Sequence, residues 1–312
     1  MGPVQTFRAP LHEQGSATAA RSVVVGMGAN LGSRMSTLRA ALALLEGQHD
    51  IRARRLSRVY ETAAVGLPGP AYLNAAALLE TRLDLDGLME VLLDVERTLG
   101  RRRRRRWAAR TLDLDLLWAD GEERRSEHLV VPHPRLRERP FALAPLLDVW
   151  RDAGLERALL ALGGPPAPSA PFLRTPQFTH DGDGNGVSLG AQASDEAEVV
   201  AEALTGLAGL LCPQMEAAQG GATPPVCEVA PTSTRDLLGS ATVALLDRVA
   251  RGFAVSQVAV GVTRKDGTVD VRFVGVPGGC APARIAPGPA LLFAGPGARC
   301  TAVLAVRRQA PE

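Results

Sequence analysis

"RRRRRRWAARTLDLDLLW", residues 101–118, sets six consecutive arginines five residues before a segment that alternates leucine with aspartate. Side chains on a strand point to opposite faces in turn. Leu112, Leu114 and Leu116 therefore share one face, directed at a core, and Asp113 and Asp115 stand together on the other. This segment closes an ordered series. Ahead of it, "SVVVGMGANLGS" (22–33) reads as a buried strand running into a glycine turn. "RMSTLRAALALLEG" carries Met35, Leu38, Leu42 and Leu45 at helical spacing and stops at Gly47. "IRARRLSRVYET" alternates as one strand with a wet face, "GLPGPAY" is a Pro/Gly loop, and "YLNAAALLETRL" is a further strand. "LDGLMEVLLDVERTLG" is an amphipathic helix closed by Gly100. Strand, helix, strand, strand, helix, strand is the ferredoxin-like α+β order.

The length of 312 residues suggests about two domains. Residues 1–20 read as a disordered tail, because polar residues stand where a signal peptide needs an apolar core. Residues 21–161 form the first domain, and prolines at 162–176 mark a linker. Residues 177–312 form a second, smaller α+β domain with helices near 194–211 and 233–250. It also has a hairpin around Lys265–Gly267 and a last strand pair. Hydrophobic content of 46% supports a real core, and no run approaches the ~18 apolar residues of a membrane span. The expected location is the cytoplasm. Cys212, Cys227, Cys280 and Cys300 lack ligand spacing and read as reduced thiols.

A net charge of +2 argues against a general nucleic-acid binder. Lys265 is the sole lysine, so part of the arginine run reflects a compositional preference for arginine. Two carboxylates side by side repel unless a cation sits between them, and Mg²⁺ bound by one or two carboxylates with substrate phosphates is the natural partner. Arginine's planar fork binds phosphate in bidentate fashion, so an arginine loop facing such acids suits a triphosphate. No G-x-x-x-x-G-K-[ST] occurs, which excludes a P-loop. The alternative is a nucleotide-dependent RNA-binding or RNA-processing accessory protein; against it, only Trp107 offers an aromatic among the arginines.

"VGMGANLGS", "YLNAA", "GRRRRRRWAARTLDLDLLW" and "VPHPRLRERPFALAPL" together resemble 6-hydroxymethyl-7,8-dihydropterin pyrophosphokinase over residues 22 to about 150. The resemblance implies a ferredoxin-like fold. It also implies transfer of pyrophosphate from ATP to the pterin hydroxymethyl group, with two Mg²⁺ ions, in folate biosynthesis. Asp113 and Asp115 would be the metal ligands, and Arg101 and Arg110 would join them in catalysis by contacting the phosphates. Glu96, Arg106, Trp107, His133 and Arg139 would bind ATP, with Arg106 and Trp107 on a loop that closes over it. Tyr72 and Phe141 would sandwich the pterin, Asn74 would read its edge, and Thr62 and Val65 would supply nearby backbone contacts. Gly28 and Asn30 would shape the first turn beneath the site. The sequence departs from the family pattern at Ala109, where proline is usual, and at Leu93, where an amide is common; the arginine loop is one residue short. Residues 172–308 faintly resemble archease, which would make the second domain an accessory or protein-binding module. Asp183 matches one acidic ligand of that family, but Ala305 stands where a second is expected. "DGDGNG" (181–186) opens like a calcium loop, yet Gln192 occupies the position that needs a bidentate glutamate.

Overall fold

The computed structural model describes residues 19–64, 69–101, 110–170, 178–182, 186–193, 195–212, 226–262, 264–277, 285–295 and 299–308. It is a mixed α/β protein built on antiparallel sheets. β1 (Arg21–Ala29), α1 (Arg34–Glu46), β2 (Ile51–Leu56), β3 (Tyr60–Thr62), β4 (Tyr72–Thr81), α2 (Leu85–Thr98) and β5 (Asp113–Ala119) follow the expected order with one difference. The stretch read as a single strand breaks at Ser57–Val59 into β2 and β3, both paired with β4. The break has a local cause. The Ser57 hydroxyl turns back to the Arg58 carbonyl (2.6 Å) and accepts the Ala76 N–H (2.8 Å), so the serine side chain replaces ladder bonds.

The sheet runs β2-β4-β1-β5. Gly28 of β1 lies opposite Asn74 on one side and Asp113 on the other, and Gly26 lies opposite Asp115. Leu112, Leu114 and Leu116 are buried, as the alternation requires. Between Leu116 and Trp118 the register shifts, and Leu117 is the extra residue. A bulge of this kind returns one more side chain to the aspartate face. α2 begins at Asp84, whose carboxylate caps the Gly87 N–H at 2.7 Å, and it ends before Gly100 at φ +87°.

β6 (Arg124–Arg125) and β7 (Val130–Val131) form a short ribbon, followed by a 3-10 turn at Leu136–Glu138. Two helices that sequence reading missed come next, α3 (Pro140–Val149) and α4 (Ala153–Ala161). Leu143, Leu146 and Val149 of α3 pack with Leu155 and Leu159 of α4 against Val24, Ala76, Leu78 and Leu117. α3 thus covers the apolar part of the aspartate face, and the acids lie beyond it. The expected linker is tied down in part: Ser169 and Ala170 hydrogen-bond Val59, with the Val59 N–H donating to the Ala170 carbonyl at 2.6 Å.

Asp148, near the end of α3, fastens it to β3. Its carboxylate accepts from the Arg58 N–H and guanidinium (2.6–3.0 Å) and from the Tyr60 hydroxyl at 2.9 Å. Burial pushes its pKa up, but these donors outweigh burial and hold it below the usual carboxylate value. A lowered pKa contributes stability that is present above the unfolded value of about 3.9 and lost as pH falls through the folded one. Asp148→Ala is expected to cost about 1–2 kcal/mol in urea unfolding at pH 7, since the Arg58 end is solvent-screened. The difference from the parent protein should shrink below pH 4. A gap that is constant with pH would mean that packing, not charge, ties the strand.

By contacts the described residues divide into two compact units: 19–34 with 45–170, and Met35–Leu44 with the described residues from 178 to 308. Met35–Leu44 of α1, expected inside the first domain, therefore groups with the C-terminal stretch. Within that unit lie β8 (Phe178–Gly182), β9 (Gly186–Ala193), α5 (Glu196–Leu211), β10 (Val226–Val229), α6 (Thr234–Ala250), and β11 to β14 (Phe253–Val260, Val269–Pro277, Ile285–Gly295, Arg299–Arg308). They form sheets ordered β10-β12-β11 and β13-β14-β9-β8. α5 and α6 pack on Val255, Val258, Val271 and Phe273. Glu198 accepts the Met35 and Ser36 N–H groups (2.9 and 2.8 Å), while Glu202 pairs with Arg39. The reading of all cysteines as reduced needs correction: Cys212 is disulfide-bonded and Cys227 is free. Asp183 lies outside the described residues.

Candidate active site

A cavity of about 360 Å³ opens on the aspartate face. Gly26, Gly28, Asp113 and Asp115 lie on the sheet, with Tyr72, Asn74 and Thr62 at one side. Arg110, His133, Arg139 and Phe141 complete the lining. A methyl at Gly26 would stand 2.9 Å from Leu117, and one at Gly28 would stand 3.6–3.9 Å from Asn74, Asp113 and Tyr72. A side chain at Gly26 would collide with Leu117, while Gly28 would admit a methyl in ordinary contact.

The two aspartates differ. Asp113 accepts from Arg110 at 2.5 Å and forms an ion pair with Arg101 at 3.1 Å. Asp115 accepts no hydrogen bond from any described residue. Burial first, and then Asp113, push its carboxyl up to about 6. A buried carboxylate without a donor is costly unless a cation meets it, so the pair suits a hard divalent ion that also takes phosphate oxygens. Among the described residues no group of three or more His, Cys, Asp and Glu gathers at one point.

Cations face these acids. Arg110 is opposed by burial but raised overall by Asp113. The Arg139 guanidinium sits 5.8 Å from the Phe141 ring centroid and is lowered by burial and by Arg135. His133 Nδ1 accepts the Arg135 N–H at 3.2 Å, which leaves the ring's donor on Nε2. Burial, Arg139 and Arg135 lower its pKa, so at neutral pH the ring is an uncharged donor. At the other side, Asn74 Nδ2 donates to the Thr62 hydroxyl at 2.9 Å, so its Oδ1, near Gly28, is the acceptor left for a ligand. Burial, then Asp113, raise the Tyr72 phenol.

Most of the expected site residues converge here. Arg101 reaches the site through its ion pair with Asp113 but does not line the cavity, and neither does Glu96. Its side chain is 1% exposed, accepts the Leu114 N–H at 2.7 Å and pairs with Arg101, and burial pushes it up to about 7. It supports the strand and Arg101 from beneath. Arg106, Trp107 and Val65 lie outside the described residues. Arg135 and Glu138 line the cavity mouth, paired at 3.4 Å, and were not singled out from sequence. No motif spacing marks them, although they flank the expected His133 and Arg139.

Residues 24–151 match the family model of 7,8-dihydro-6-hydroxymethylpterin-pyrophosphokinase. A 2-amino-4-hydroxy-6-hydroxymethyldihydropteridine pyrophosphokinase of Bacillus subtilis is 41% identical over 133 residues, which is 42% of this chain and 80% of that protein. The chain belongs to this family. The Synechocystis sp. protein of the same name is 35% identical over 142 residues, covering 45% of this chain and 73% of its own length. A mitochondrial folate synthesis bifunctional protein of Arabidopsis thaliana is 42% identical over 132 residues, 42% of this chain and 24% of that protein. These pyrophosphokinase similarities lend no support to the RNA-processing alternative. Among the described residues no helix is long and apolar enough to cross a membrane.

Proposed function

We propose that this chain transfers pyrophosphate from ATP to the hydroxymethyl group of 6-hydroxymethyl-7,8-dihydropterin, giving AMP and the pterin diphosphate. The observation that carries the reading is one cavity lined both by paired aspartates with arginines and by two aromatics with an oriented amide. The first set suits a triphosphate and the second a flat heterocycle. Asp113 and Asp115 would hold two Mg²⁺ ions. The ions supply charge neutralisation for the phosphates.

The remaining work falls to the chain's own groups. Tyr72 and Phe141 stack on the pterin, and the Asn74 Oδ1 accepts from its N–H edge. Arg110 and Arg101, already turned toward Asp113, donate to phosphate oxygens as charge develops on them. Neutral His133 donates from Nε2 without adding charge, and Arg139 adds a cation. The hydroxymethyl oxygen attacks the β-phosphorus and gives up its proton to solvent, while the bond from that phosphorus to the AMP oxygen breaks and AMP leaves. Positioning and charge compensation suffice for such a transfer.

We assign the first domain to the ferredoxin-like class; the β2-β4-β1-β5 order with helices after β1 and β4 supports it. Residues 177–312 we read as an accessory α+β domain with an archease-like ancestry and a protein-binding role, supported by its own apolar core. Ala305 argues against metal binding there. Incubation with ATP, Mg²⁺ and the hydroxymethyl dihydropterin is expected to release AMP in proportion to pterin consumed. ADP formation, or no turnover by folded protein, would contradict the assignment.

A further inference from the structure

β1 ends at Ala29, where its ladder to β4 also ends, and its ladder to β5 ends one residue earlier, at Gly28. The chain then turns toward α1, while the two neighbouring strands still have to be held apart at the width of the cavity. Asn30 takes over where the ladder stops. Its own N–H donates to the Arg110 carbonyl at 3.2 Å, and its Oδ1 accepts the Arg110 N–H at 2.8 Å. Its Nδ2 donates to the Pro70 carbonyl at 3.3 Å. One turn onward, Arg34 donates to the next carbonyl, Ala71, at 2.9 Å and to Glu61 at 2.8 Å. Asn30 is 2% exposed, so its amide makes these bonds without competition from water.

From these contacts we infer that Asn30 and Arg34 are positioning residues, a brace that fixes the spacing between the phosphate side and the ring side of the cavity. The inference rests on the reading of the site given above. A primary amide presents a donor and an acceptor as a peptide group does. Asn30 therefore extends the sheet by one step on both sides at once: toward Arg110, three residues before Asp113, and toward Pro70, two residues before Tyr72. Arg34 acts on the ring side only. Neither touches substrate, and their effects on the two substrates should separate.

The experiment uses the full chain with Asn30→Ala, Arg34→Met and Arg34→Lys, read by steady-state kinetics and by amide hydrogen exchange. Arg34→Met keeps the aliphatic stem. It is expected to raise KM for the pterin about fivefold or more and KM for ATP less than twofold, with Arg34→Lys recovering part of the loss. Asn30→Ala should lower kcat by roughly 10–100-fold, because small misplacements of reacting groups are costly. It should also speed exchange of the Arg110 amide by roughly tenfold while the β1–β4 ladder stays protected. If Asn30→Ala does not fold, Arg34→Met carries the test alone. Unchanged Arg110 exchange, or equal KM changes for both substrates in Arg34→Met, would overturn the brace. An inactive parent protein would instead refute the proposed reaction, and the exchange data would still decide the brace.

Discussion

Replacing Asp115 with asparagine is expected to lower kcat by about 10³-fold or more and to leave the melting temperature unchanged or slightly higher. The two effects have one cause. The Asp115 carboxylate is buried beside Asp113 and accepts no hydrogen bond from any described residue. In the protein without divalent ions its charge is unfavourable, which is why its pKa stands near 6. A raised carboxyl pKa lowers stability as pH rises from the unfolded value near 3.9 toward the folded one. Asparagine removes that slope, so any stabilisation should grow between about pH 4 and pH 6 and be complete above pH 6 in metal-free buffer. Turnover falls because the charge that meets the cation is gone. Asp113→Ala should also abolish turnover, but it leaves Arg110 without its carboxylate partner and Arg101 with Glu96 alone, and offers no gain in stability. Thermal melts together with saturation kinetics check both variants. A fall of many degrees in Asp115→Asn would make the acid a structural element and detach it from the chemistry.

Arg110→Ala is expected to reduce kcat by about 10²-fold or more, with a smaller change in the KM for ATP. Arg110 sits where its guanidinium meets Asp113, and its backbone is held by Asn30 on both its N–H and carbonyl sides. The fork is thus oriented before ATP arrives, and its strongest use comes when negative charge grows on the transferring group. Arg110→Lys keeps the charge but loses the planar fork, so it should recover only part of the rate. Steady-state kinetics on both variants decide the matter. A rise in the KM for ATP with kcat intact would mean that Arg110 serves ground-state binding alone.

The acids, the six-element order and the stop at Gly100 were legible because each rests on local periodicity or a local backbone demand. Asp113 and Asp115 stand out from the leucines between them, and Gly100 takes a positive φ that other residues avoid. α3 was hidden because Pro140 and Pro145 interrupt its periodicity, although Pro140 begins the helix, where a missing N–H costs nothing. The bulge at Leu117 left only the doubled leucine as a trace. The contact of Glu96 with the Leu114 N–H spans 18 residues and carries no sequence spacing of its own, so its burial beneath the strand was not legible. The contacts of Asn30 with Pro70 and Arg110 span 40 and 80 residues, beyond the reach of any spacing rule. The grouping of Met35–Leu44 with the C-terminal stretch was invisible for the same reason.

The central claim is that the group transferred carries both the β- and γ-phosphorus of ATP. It is tested by supplying the full chain with Mg²⁺, the hydroxymethyl dihydropterin and ATP labelled at the β-phosphorus, then following the label. The expected result is label on the pterin product and unlabelled AMP in equal amount, with both lost in Asp115→Asn. Label retained in ADP would contradict it, whether or not the pterin gains a single phosphate.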